Sequence, residues 1–98
     1  MKSPKTIEDL IQHIYKVYKE PVRWWSKAHY EKRCTQIYAS EVVLQRCYDN
    51  PLTSPEDIID GYLMEVCYML RKEKDNANII KILRIIEETL ESLLKYLH

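Results

Sequence analysis

The chain has 98 residues, with 15 Lys and Arg against 15 Asp and Glu, and a single glycine. That length makes one domain, which buries only roughly 60–65% of its unfolded surface. A balanced total charge argues against a nucleic-acid binder, which carries a basic surplus. One glycine argues against a β-sandwich or a dinucleotide-binding fold, because their tight turns need many.

Apolar residues make up 46% of the chain, enough for a core and too many for a disordered segment. The charge is not evenly spread. Residues 1–49 carry nine bases and six acids, giving +3; residues 50–98 carry six and nine, giving −3. Such a dipole permits antiparallel self-association.

The predicted fold is all-α, a single four-helix bundle-like domain over residues 1–98, with helices at about 6–20, 27–48, 55–73 and 77–97. In helix 1, Ile7, Leu10, Ile11, Ile14, Val17 and Tyr18 recur at helical spacing. Pro4 suits the first helical position, or Thr6 caps with Asp9 three residues later. Pro21 stops the helix. Residues 21–26 form a connector, and Ser26 caps helix 2. There the expected apolar stripe is Tyr30, Cys34, Ile37, Tyr38, Leu44 and Tyr48, with Glu41 projecting into its middle. Asp49-Asn50-Pro51 ends it.

Ser54-Pro55-Glu56-Asp57 is the clearest start signal in the chain. It has a capping serine, a proline in the first turn, and acids where the helix dipole favours them. Ile59, Tyr62, Leu63, Val66 and Leu70 give helix 3 its buried face. Gly61 lies inside that helix at a cost of roughly 1 kcal/mol, for which close helix–helix approach is one reason. Asp75 or Asn76 caps helix 4. Ile79, Leu83, Ile86, Leu90, Leu93 and Leu97 then form a heptad seam. Ile80, Ile82 and Ile85 add apolar surface beyond it, more than the single stripe a bundle helix needs.

No apolar run approaches the ~20 residues of a membrane span. Met1-Lys2-Ser3-Pro4 leads into a capped polar helix rather than a signal-peptide core, so the expected location is the cytoplasm. Cys34, Cys47 and Cys67 form no CxxC pair and are expected as buried or half-buried free thiols. His13 and His29 do not combine with them at the spacing of a metal site. No phosphate-binding loop, nucleophile elbow or HExxH helix is present, so no catalytic residue, metal or cofactor is predicted.

Two surfaces stand out as binding sites. One is the aromatic-basic connector, where Arg23, Trp24, Trp25, Lys27, His29, Tyr30 and Arg33 combine charge with stacking surface, close to Lys16, Lys19 and Lys32. Trp and Arg are the usual anchors of protein interfaces, and the same set can hold a phosphate and stack a base. The alternative is that both tryptophans plug the end of the core. The other surface is helix 4. Either helix 4 is central and touched on several sides within the chain, or Ile79, Ile80, Ile82, Leu83, Ile86 and Leu90 lie at an interface with a second copy or another partner.

Lys5-Thr6-Ile7-Glu8-Asp9-Leu10-Ile11, Tyr15, Tyr18, Glu20-Pro21-Val22-Arg23-Trp24-Trp25-Ser26 and Tyr30-Glu31 resemble small uncharacterised proteins carried by phages and prophages of Firmicutes-type bacteria. The resemblance covers mainly residues 5–31. It implies a small accessory protein that acts stoichiometrically, by binding a host protein or by sequestering a defence signal.

The leading expectation is a non-enzymatic interaction protein that self-associates through helix 4 and binds a host protein. One alternative is a protein that sequesters an anionic (cyclic) nucleotide signal. Another is a HEPN-like ribonuclease, because Arg23 and His29 stand at an R-x5-H spacing.

Overall fold

The computed structural model describes residues 6–19 and 26–98. Among them the fold is all-α. Helix α1 (Ile7–Ile14) runs on into a π-helical turn, Tyr15–Lys19. Helices α2 (Lys27–Asp49), α3 (Pro55–Lys72) and α4 (Ala77–Leu97) follow. Helices α2, α3 and α4 start and stop within a residue of their predicted bounds, whereas the predicted helix 6–20 divides into α1 and the π turn that follows it.

The agreement is local chemistry. The Thr6 hydroxyl accepts from the Asp9 N–H at 3.2 Å and the Asp9 carboxylate accepts from the Thr6 N–H at 2.9 Å, which closes a capping box. Ser26 and Ser54 accept from the third residue of their helices, His29 and Asp57. Asn76 accepts from both Asn78 and Ile79. Each bond satisfies an amide that the first helical turn leaves without a partner.

Helix α4 packs along α3 and α2, and α2 also meets α1. Leu10, Ile14 and Tyr18 enter the core from the first helix and its π turn. Val43 and Cys47 come from α2, Ile58, Ile59 and Val66 from α3, and Leu83, Leu90 and Leu93 from α4. The buried Ser40 and Thr89 hydroxyls donate to carbonyls one turn back, Gln36 at 2.8 Å and Ile85 at 2.7 Å. Tyr96 closes the far end. Its ring stacks on His13 at 3.8 Å, and its hydroxyl donates to the Asp9 carbonyl at 3.3 Å.

Helix α2 departs from the predicted orientation. Tyr30, Cys34, Tyr38 and Tyr48 are exposed, and the face turned inward is Ala39, Ser40, Val43 and Cys47, flanked by Ile37 and Leu44. The physical reason is size and polarity. Small side chains let the α2 axis approach its neighbours, whereas a row of tyrosines would hold it away and take phenol hydroxyls from water. Glu41 turns outward with them. It pairs with Lys19 at the end of the π turn rather than entering the core. Val17 is likewise exposed.

Gly61 is also corrected. A methyl group built there meets nothing within 4 Å, and its backbone is not in the left-handed region. No close approach explains it. Gly61→Ala is therefore expected to raise stability by about 0.5–1 kcal/mol, read as a higher midpoint in urea.

Candidate functional site

The π turn widens the backbone just before the connector, and two contacts fasten it to α2. Arg33 donates from Nη1 to the Val17 carbonyl at 2.7 Å and lies 5.5 Å over the Tyr18 ring. Lys19 reaches Glu41. Of the predicted connector site, Arg33 is thus committed to holding helices together. Lys27, His29 and Tyr30 are exposed at the start of α2, and His29 Nδ1 lies 2.8 Å from the Ser26 hydroxyl. Arg23, Trp24 and Trp25 lie outside the described residues, as does the Arg23 half of the R-x5-H spacing.

Helices α2 and α4 run side by side in the same sense, with residues 28–35 facing 78–88 and 38–43 facing 83–90. Their N-terminal halves do not close on each other. An open cleft of about 800 Å³ separates them. His29, Lys32 and Glu31 stand on the α2 wall; Lys81, Arg84 and Glu88 stand on the α4 wall, with Ile82 and Ile85 between them. The two surfaces singled out from sequence therefore meet here in part, with His29 across from Ile82.

One turn further along, the depression becomes apolar. A groove of about 220 Å³ is bordered by Tyr38 and Val42 of α2, Val66 and Met69 of α3, and Ile86 and Leu90 of α4. Tyr38 and Met69 stand at its rim and are largely in solvent, at 67% and 47% exposure.

The predicted α4 interface divides into two groups. Leu83 and Leu90 are buried in the chain's own core, and Ile80 and Ile86 are half-buried. Ile79 and Ile82 remain 42% and 47% exposed. The sequence-based reading missed Lys81, Arg84 and Glu88 as cleft residues. Their shared spacing on the outer arc of α4 was the available signal.

The cysteines do not converge. Among the described residues, no group of three or more His, Cys, Asp or Glu is placed to hold a metal ion. Cys34 is exposed, against the expectation that all three thiols are buried or half-buried. Cys47 is in the core, and burial pushes its thiol pKa up. Cys67 is pushed up by partial burial and by Glu87, whose carboxylate accepts from its Sγ at 3.5 Å. A thiol reagent is therefore expected to modify Cys34 first, Cys67 more slowly, and Cys47 only on unfolding. Mass spectrometry of a labelling time course, with peptide assignment, checks the order.

No helix among the described residues is long and apolar enough to cross a membrane. Comparison with protein-family models, curated proteins and solved structures finds no match.

Proposed function

We propose that this protein is a non-enzymatic binding protein that acts stoichiometrically on a host protein in the bacterial cytoplasm, as an inhibitor of host defence. The observation that carries the reading is the outward face of α2. Tyr38 and Tyr48 there are 67% and 58% exposed, in line with Tyr30 and Cys34 along one side of a 23-residue helix. Tyrosine presents a large rigid surface with a polar tip, which suits it to recognition. The resemblance of residues 5–31 to phage and prophage proteins supports a host factor as the partner.

The test is capture from a bacterial lysate with the wild type and with Tyr38→Ala. The wild type is expected to retain one protein at equal stoichiometry, and Tyr38→Ala to lose it while staying folded. Capture indifferent to Tyr38 would end this reading of the α2 face.

A second reading has its own support. His29, Lys32, Lys81 and Arg84 surround one open cleft, an arrangement suited to an anionic nucleotide. Thermal melting with mono-, di- and cyclic nucleotides decides it. A ligand is expected to raise the melting temperature in the wild type and much less in Lys81→Ala, and no rise with any nucleotide removes the idea.

A further inference from the structure

The cleft face of α4 reads, in order, Lys81, Ile82, Arg84, Ile85, Glu88. Lys81 lies at one end and Glu88 at the other, with Arg84 between the two isoleucines. Among the described residues none of these three charged groups makes an ion pair, although Arg84 and Glu88 are one turn apart on the same helix. Ile82 is about half in solvent. Lys81 and Glu88 are complementary between two copies only when the helices run antiparallel.

We infer that the cleft is occupied by a second copy of this chain, with the two α4 helices antiparallel about a two-fold axis near Ile85. This names the self-association surface of the binding protein proposed above and rests on that reading. The axis sets Ile85 against Ile85 of the other copy and brings each Lys81 beside the other copy's Glu88. A two-fold interface repeats every such contact, so each pair counts twice. A parallel pairing would instead stack Lys81 on Lys81 and Glu88 on Glu88, which costs rather than stabilises.

The α2 wall, with Glu31 and Lys32, would meet the same incoming helix.

Sedimentation equilibrium of the wild type and of Lys81→Glu, Glu88→Lys and the double exchange tests this. Circular dichroism of the same samples confirms that each variant remains folded. At micromolar concentration the wild type is expected at about twice 11.8 kDa. Each single exchange sets like charges together at two places and is expected to weaken the dimer about tenfold or more. The double exchange restores opposite charges and returns the dimer to near wild-type affinity.

A wild type of single-chain mass would overturn the inference while leaving host-protein capture by the α2 face standing. That capture is read separately through Tyr38→Ala. A dimer unmoved by the single exchanges, or not rescued by the double one, would overturn the antiparallel register. A cleft filled by a nucleotide instead would show as melting stabilisation of a single-chain species.

Discussion

Leu93→Ala is expected to lower the unfolding free energy by about 3 kcal/mol, which for a domain of this size lowers the melting temperature by roughly 15–20 °C. Leu93 is fully buried on α4 and belongs to the cluster that also takes Leu10 and Ile14 from α1, Val43 from α2 and Ile59 from α3. Removing its branched end forfeits the transfer energy of three carbons and leaves a cavity that rigid helices cannot fully close. A small domain has only 5–15 kcal/mol in total, so this one change takes a large share. Calorimetry against the wild type checks it. A loss under about 1 kcal/mol would mean that the α4 core is less tightly packed than the structure shows.

Ile82→Glu should behave in the opposite way. Ile82 is about half exposed at the cleft, and glutamate is at least as good a helix former as isoleucine. Monomer stability should change by no more than about 0.5 kcal/mol. Association should be lost, because the change sets a charge in place of an apolar contact at both symmetric positions. Light scattering gives the mass and melting gives the stability of the same sample. Leu83→Ala, at the next position, is the control. Its side chain is buried, so it should lose stability. Two adjacent residues of one helix thus separate folding from assembly.

The sequence disclosed the helices and their ends well, because those rest on short-range chemistry. Thr6 with Asp9, Ser54 before Pro55, and Asn76 before Ala77 each act within three residues. The buried faces of α3 and α4 were also legible, since Ile59 with Val66, and Leu83 with Leu90 and Leu93, dominate one side of each helix.

Helix α2 was not legible in the same way. Its apolar residues are distributed around the whole circumference, so periodicity alone allows two orientations. Choosing the larger side chains pointed to Tyr30, Tyr38 and Tyr48. Packing chose Ala39, Ser40, Val43 and Cys47 instead, because distance between helix axes is decided by the smallest residues at the contact. Glu41 follows from the same rotation, and its partner, Lys19, comes from another element. The cleft was half legible. His29 and Ile82 could be singled out separately, but their placement on opposite walls depends on α2 and α4 running in the same sense.

The Tyr96 contact with Asp9 and His13 joins residues 87 and 83 positions apart, through a hydrogen bond and a ring stack. Such a contact closes nearly the whole chain into one loop, and that closure entropy is lost before the contact repays it. The docking of α1 onto the end of α4 is therefore expected late in folding and early in local opening. Amide exchange should show α1 and the last turn of α4 losing protection together, ahead of the α3–α4 centre.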